Sequence, residues 1–264
     1  VTAPALTDRD FLGLHCGDCI PWLRSLPGGY AQICVTSPPY NAGIDYGEGI
    51  CDQRPWPEYE DWARLWMAEI PRVLCEGGRL AINVASYIGR SPAYPLEAFY
   101  TLLGVQAGLL LRGGIIWDKG AAQKNSTAWG TWCSPSNPCL RDHQESILVF
   151  SKGRFDLPNP RGAKSDLCSS EFTFGTSNLW RVNPETNRTH PAAFPVELAG
   201  RLIKLYSWPG DMVLDPFAGS GSTGVAAHNL GRMFAGCELS PVYAKLIEER
   251  LRRARAQGRL LESI

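Results

Sequence analysis

Met212-Val-Leu-Asp215-Pro-Phe-Ala-Gly219-Ser-Gly221-Ser-Thr-Gly224 runs from an apolar triplet into a glycine-rich turn and on toward the helix-forming Ala226-Ala227. Strand, tight turn and helix in that order open a βαβ unit, and the glycines let a ligand approach the backbone closely. The spacing Gly219-x-Gly221-x-x-Gly224, with the carboxylate of Glu238 about 20 residues on to hold ribose hydroxyls, is also the dinucleotide fingerprint. By itself the pattern leaves the cofactor open, and an NAD-type oxidoreductase is one reading of it. Against that reading, only one more strand and helix follow Glu238, whereas a dinucleotide fold needs a second half downstream unless the chain is permuted.

Outward from this turn, short apolar runs that read as buried strands are Leu12 to Cys16, Ala31 to Thr36, Arg79 to Val84, Gly114 to Trp117, Ser146 to Phe150, Met212 to Leu214 and Met233 to Cys237. Helical patterns fall at Tyr59 to Leu74, Pro95 to Gly108, Pro195 to Tyr206, Thr223 to Asn229 and Pro241 to Arg255. The alternation predicts an α/β fold with a doubly wound, seven-stranded, mostly parallel sheet. At 264 residues the chain fits one catalytic domain, residues 1–264. Two segments break the rhythm, Lys119 to Gln144 and Arg154 to Thr189, both rich in Ser, Asn, Pro, Gly, Arg and Trp as loops or a small lobe are.

A second turn, Thr36-Ser37-Pro38-Pro39-Tyr40-Asn41, follows the run Ala31 to Val35 and therefore sits at the carboxyl edge of the sheet, where ligands bind. Two prolines fix the chain and remove two backbone donors, so nearby carbonyls can face a substrate amine as acceptors. Ser37 adds a hydroxyl acceptor and Tyr40 a flat ring face. An amine target, an acceptor pair and a stacking ring suit methylation of a base extruded from a duplex. A proline-rich turn with an incidental aromatic has the same composition.

Together Asp215-Pro-Phe-x-Gly-x-Gly and Ser37-Pro-Pro-Tyr40, each after an apolar strand, resemble the cofactor and catalytic motifs of DNA amino-methyltransferases, and their order resembles the beta group of that family. The resemblance covers nearly the whole chain and implies a Rossmann-like, circularly permuted fold that binds S-adenosyl-L-methionine. It implies cofactor contacts at Asp18 (adenine amine), Asp215, Pro216, Phe217, Gly219, Gly221, Ser222 and Glu238 (ribose), and at Phe194 and Pro195 in His190-Pro-Ala-Ala-Phe194-Pro195, the segment that closes over the methionine moiety. Asp18 is equally placed to cap a helix ahead of Trp22-Leu23. Arg72-Val-Leu-Cys-Glu-Gly77-Gly78, Ile116-Trp117-Asp118-Lys119-Gly120 and His143-Gln-Glu145 through Lys152 resemble the scaffold motifs between them.

The resemblance implies a catalytic turn of Ser37, Pro38, Pro39 and Tyr40, transferring methyl to an exocyclic amine of a flipped base in double-stranded DNA. Ser37 is expected to orient the amine, not to act as a general base, since its own motif holds no His or carboxylate. Tyr40 is expected to act through its ring more than its hydroxyl. Ser at the first motif position favours cytosine N4, with adenine N6 the alternative. Ser in place of Asn disfavours RNA or protein-amide targets.

For DNA contacts the expected inserted target-recognition region is 154–189, with Arg154, Arg161, Lys164, Arg181 and Arg188; Lys124 and Arg141 in Lys119 to Gln144 are a second set. Asn41 to Trp56, with three glycines, is a candidate loop closing over the base. Formal net charge is zero, so any nucleic-acid surface must be local. Nine cysteines read as reduced thiols, and Cys16-x-x-Cys19 lacks a partner pair, so no metal is expected. Val1 to Asp10 lacks the pattern of a signal peptide and the apolar stretch Ala98 to Leu111 is too short for a membrane span. The expected setting is the bacterial cytoplasm, as monomer or homodimer, compatible with a cognate restriction endonuclease acting separately.

Overall fold

In the computed structural model, residues 13–89, 92–120, 130–185 and 194–262 are described. The strands are β1 (Leu14–Cys16), β2 (Ala31–Thr36), β3 (Leu74–Val84), β4 (Leu109–Asp118), β5 (Gln144–Lys152), β6 (Leu179–Arg181), β7 (Met212–Asp215) and β8 (Met233–Glu238). The helices are α1 (Cys19–Ser25), α2 (Trp56–Val73), α3 (Leu96–Gln106), α4 (Ser169–Gly175), α5 (Val196–Tyr206), α6 (Ser222–Asn229) and α7 (Pro241–Glu262). Among the described residues, all eight strands join one sheet in the order β1-β8-β7-β2-β3-β5-β4-β6, and β5 alone runs against the rest.

Side-chain alternation along each strand feeds a core on either face. In β2, Cys34 enters the cluster formed with α1, α2 and α3, while Ile33 and Val35 enter the one formed with α5, α6 and α7. The helices are amphipathic in the matching sense: α2 buries Tyr59, Ala63, Trp66, Met67, Ile70 and Val73, one stripe at helical spacing. Its Pro57 sits in the first turn, where no intrahelical donor is lost.

The eighth strand departs from the seven-stranded expectation. β6 is three residues long with a single buried side chain, Trp180, so it carries no apolar run; it forms by pairing with Ile116, Trp117 and Asp118 of β4. Thus the expected recognition segment contributes an edge strand to the sheet. β4 is also longer than Gly114 to Trp117, because exposed Leu110 and Leu111 extend it.

The two turns meet because β2 and β7 are neighbours, with Ile33 opposite Val213 and Cys34 opposite Leu214. From β7 the chain continues through α6 to β8 on one side, and from β2 through α2 to β3 on the other, so the turns flank a topological switch point. β1, from the start of the chain, pairs with β8 near its end. The sheet is therefore permuted, and the downstream position of the glycine turn does not by itself exclude a dinucleotide. The residues around the crevice must decide that question.

Candidate active site

A cavity of about 590 Å³ opens at the switch point. The half beside the Ser37 turn, the expected catalytic half, is lined by Ser37, Pro38, Pro39, Tyr40, Asn83, Trp117, Lys119 and Glu145, and the other half by Gly17, Asp18, Pro216, Phe217, Gly219, Ser222 and Glu238. Ile44, Tyr46 and Ile50 contribute from the segment between β2 and α2, and Phe194 also lines the wall.

The glycine turn is fixed from below. Thr36 Oγ1 donates to Asp215 Oδ1 at 2.7 Å, and the Phe217 amide donates to the same oxygen at 3.1 Å. Asp215 is buried beneath the turn and does not line the cavity, so its role is to hold the two motifs together; Gly221 and Pro195 likewise lie outside the lining. Gly221 instead caps α6 at φ 81°, where a Cβ would meet Ile247 at 3.0 Å. Gly219, at φ 53°, does line the cavity, and its amide donates to Glu238 Oε2 at 2.8 Å.

Burial, partly offset by the Thr36 and Thr223 hydrogen bonds, pushes the Asp215 carboxyl up from 3.8 to about 6, and its Oδ2 has no partner. A folded-state value above the unfolded one means that the folded form holds the proton more tightly. Stability is therefore expected to fall as pH rises from about 3.8 through about 6. Denaturant melts across that range should show this slope in the wild type and lose it in Asp215→Asn; a slope unchanged by the substitution would assign it to another group.

Glu238 also accepts from the Ser240 amide at 2.9 Å, and burial raises its carboxyl above the usual range. Asp18 combines the two uses its sequence position allows. Oδ1 accepts from the Ile20 amide at 2.8 Å as the cap of α1, while the residue lines the cavity. Phe217 stands edge-on to Trp66, with ring centroids 5.2 Å apart, and closes the floor. The pocket-lining thiols Cys19 and Cys237 are both pushed up by burial, Cys19 to about 12, which leaves them poor nucleophiles. A carboxylate beside a glycine turn, a second carboxylate at the far wall and an apolar floor fit an adenosine-bearing ligand with ribose hydroxyls and an exocyclic amine.

The Ser37–Tyr40 turn is more heavily bonded than its motif suggests. Tyr40 Oη lies 2.9 Å from Ser37 Oγ, 3.1 Å from Glu145 Oε2, 3.1 Å from the Asn83 carbonyl and 3.0 Å from Asn83 Nδ2. Ser37 Oγ also reaches the Asn83 carbonyl at 3.2 Å. Lys119 Nζ pairs with Glu145 Oε1, and Asn83 Nδ2 donates to Glu145 Oε2 at 2.5 Å. Burial, then the nearby Glu145 charge, holds the Tyr40 hydroxyl well above the ordinary tyrosine range, so it stays protonated. Tyr59 Oη donates to the Pro39 carbonyl at 2.7 Å, which occupies that acceptor.

Asn83, Lys119 and Glu145 are the residues that motif reading leaves without roles. They come from the ends of three different strands at one sheet edge, and their only local signal is a polar side chain where an apolar run starts or stops. The carboxylate missing from the Ser37 motif arrives from β5, and the Tyr40 hydroxyl, expected to matter little, is the hub of the network.

The segment between Asn41 and Trp56 is a roof over the cavity. Asn41 Nδ2 donates to the Arg54 carbonyl at 2.9 Å and the Arg54 amide donates back to Asn41 Oδ1 at 2.8 Å. Asp52 accepts from the amides of Ala42 and Ile44, bracing the hairpin whose bridge joins Asp45 and Cys51.

The basic residues divide by sheet edge. Because β5 is antiparallel, the chain leaving it starts at the edge opposite the cavity, a reversal invisible in a buried apolar run. Arg154 faces Asp156 there, and Arg161 pairs with Asp211, which precedes β7. Asp166, two residues beyond Lys164, pairs with Arg232 at the start of β8. The structure therefore does not bring Arg154, Arg161 and Lys164 to the cavity. Arg181 ends β6 at the cavity edge, bonded to Asp118 at 2.9 Å, and Arg141 precedes β5 on that edge. Arg54 and Lys119, not among the expected contacts, line the cavity itself. Lys124, Arg188 and His190 lie outside the described residues. Among the described residues, no group of three His, Cys, Asp or Glu could hold a metal ion, and no helix is long and apolar enough to cross a membrane.

A glycine turn and an acceptor-lined Pro-Pro turn on neighbouring strands of a permuted sheet define an amino-methyltransferase arrangement. The chain belongs to the N6/N4 DNA methylase family, whose model matches residues 31–249, and its motif order is that of the beta group. It is similar to the Type II methyltransferase M.MthZI of Methanothermobacter thermautotrophicus, 32% identical over 256 residues, covering 83% of this chain and 71% of that protein. It is also 27% identical to the Type II methyltransferase M.BglII of Bacillus subtilis, over 88% of this chain and 67% of that one. A DNA modification methylase of Thermus thermophilus, solved in complex with S-adenosyl-L-methionine, superimposes with a TM-score of 0.72 at 31% identity, covering 91% of this chain and 93% of that one. The protein is a DNA methyltransferase.

Proposed function

We propose that the enzyme transfers a methyl group from S-adenosyl-L-methionine to the N4 amine of a cytosine flipped out of duplex DNA. The observation that carries the choice of base is the chemistry of the catalytic half of the cavity. The first position of the motif is the neutral acceptor Ser37, and a cationic donor, Lys119, lines the same space. Cytosine presents an amine donor followed by two acceptors along its pairing edge, whereas adenine offers a C–H in place of the second acceptor. Enzymes that flip bases read that edge by hydrogen bonds, and the Lys119 ammonium, which gives one of its three donors to Glu145, has others for the second acceptor.

The cofactor, when bound, supplies a methyl group already activated by its sulfonium. Glu238 and Asp18 would hold its ribose hydroxyls and adenine amine, and Phe217 would pack beneath it. The chain's remaining task is to place the amine in line at near-attack distance. Ser37 Oγ and the Pro38 carbonyl accept its protons, drawing the nitrogen from planar toward tetrahedral geometry so that its lone pair faces the methyl. No enzyme nucleophile is needed. Digestion of methylated duplex DNA and mass analysis of its nucleosides tests this directly: N4-methylcytosine is expected, and N6-methyladenine would overturn the base assignment.

DNA is expected to lie over the cavity edge, with Arg54, Lys119 and Arg181 near the flipped base. Binding should weaken with salt despite zero net charge, since phosphate contacts release counterions. Neutralising Arg54 and Arg181 should flatten the slope of log K against log salt by about 1 to 2, whereas Arg154→Ala with Arg161→Ala should leave it unchanged. Filter-binding titrations at several salt concentrations separate the two, and the reverse result would move the duplex to the opposite sheet edge.

A further inference from the structure

Glu145 touches neither turn in sequence, yet the Ser37–Tyr40 pair terminates on it. At the 3.1 Å contact Tyr40 Oη donates and Glu145 Oε2 accepts. The other acceptors within reach of the Tyr40 proton, Ser37 Oγ and the Asn83 carbonyl, are neutral groups, and charge-assisted hydrogen bonds are the stronger. With its single proton committed to Glu145, the Tyr40 oxygen can only accept from Ser37 at 2.9 Å, as it does from Asn83 Nδ2. The Ser37 proton is therefore committed to Tyr40 or the Asn83 carbonyl. Both Ser37 lone pairs are left for the space that Ser37 lines.

We propose that Glu145 is a positioning residue that acts through Tyr40, orienting Ser37 as an acceptor toward the target amine and receiving the proton that methylation displaces. The proposal rests on the reading that Ser37 receives that amine. As the new C–N bond forms, the methyl–sulfur bond of the donor breaks with its electron pair left on a neutral thioether, and the nitrogen must give up one N–H. That proton bonds to Ser37 Oγ as the Ser37 proton moves to Tyr40 Oη and the Tyr40 proton moves to Glu145 Oε2. Ser37 and Tyr40 each break one O–H bond and form one, the methylated amine is left neutral, and Glu145 ends as a carboxylic acid. With side-chain exposure of 16%, it can return the proton to solvent. Lys119, on Oε1, and Asn83 Nδ2, on Oε2, hold the carboxylate in place.

Glu145→Gln keeps the shape but removes the terminal acceptor, and its amide can donate to Tyr40, turning the Tyr40 proton onto a Ser37 lone pair. The single-turnover rate on a duplex substrate should fall about 100-fold, the low end for acid–base groups, with cofactor and DNA affinity within about twofold of wild type. Because Tyr40→Phe cuts the same chain, the double variant Tyr40→Phe/Glu145→Gln should be no more than about threefold slower than the slower single variant. Glu145→Asp, which keeps a carboxylate, should be faster than Glu145→Gln. A wild-type rate in Glu145→Gln, penalties that multiply in the double variant, or a matching loss of DNA affinity would overturn the proposal. If Ser37→Ala is slow while Glu145→Gln is not, this proposal fails alone; if Ser37→Ala methylates normally, the reading beneath it fails as well.

Discussion

Glu238→Ala is expected to weaken cofactor binding at least about 100-fold while DNA binding persists. The side chain does two things at once. Its oxygens clamp the glycine turn through the Gly219 and Ser240 amides at 2.8 and 2.9 Å, and it lines the cavity where ribose hydroxyls would fall. Hydrogen bonds to a charged group are worth about 1.5–3 kcal/mol each, so losing two reaches the stated factor. Glu238→Gln retains one acceptor oxygen and should sit between, about tenfold weaker. Calorimetric titration with S-adenosyl-L-methionine reads the affinity, and a thermal melt of each variant separates a lost contact from a loosened turn. Wild-type affinity in Glu238→Ala would move the cofactor away from this turn.

The parts of this enzyme that are legible in its sequence are those encoded locally. The glycine turn after Met212 to Leu214 and the Pro-Pro turn after Ala31 to Val35 announce strand ends, and alternation of strands and helices gives the sheet. What is not legible depends on pairing. Trp180 reveals β6 only against β4, and the direction of β5 cannot be read from Ile147-Leu-Val-Phe150, because a strand buried on both faces looks alike either way. That one reversal starts the segment carrying Arg154, Arg161 and Lys164 at the sheet edge opposite the cavity. The same limit hides the hydrogen-bond network around Ser37. Ser37, Asn83, Lys119 and Glu145 are scattered through more than a hundred residues, and only the order of β2, β3, β5 and β4 in the sheet brings them together.

Ser37→Ala and Tyr40→Phe are expected to slow methyl transfer with little effect on either affinity, and the size of the Tyr40→Phe defect separates two views of the motif. If Tyr40 served only as a stacking platform, worth about 1–3 kcal/mol per base, phenylalanine would preserve nearly all of it. The structure instead gives the hydroxyl partners in Ser37, Asn83 and Glu145, and phenylalanine would leave Ser37 without its link to the carboxylate. Breaking a buried hydrogen bond to a charged group costs about 1.5–3 kcal/mol, a rate loss on the order of 10- to 100-fold if that contact matters in the transition state. Tyr40→Ala removes ring and hydroxyl together and should be slower still, by a further loss of about the stacking energy. Ser37→Ala removes the acceptor that faces the amine and should fall in the same range as Tyr40→Phe, since the two act in series. Rapid-quench single turnovers with saturating cofactor and DNA measure these rates without the contribution of product release. A Tyr40→Phe enzyme as fast as wild type would return Tyr40 to the role of a ring alone and leave the hydroxyl network as packing.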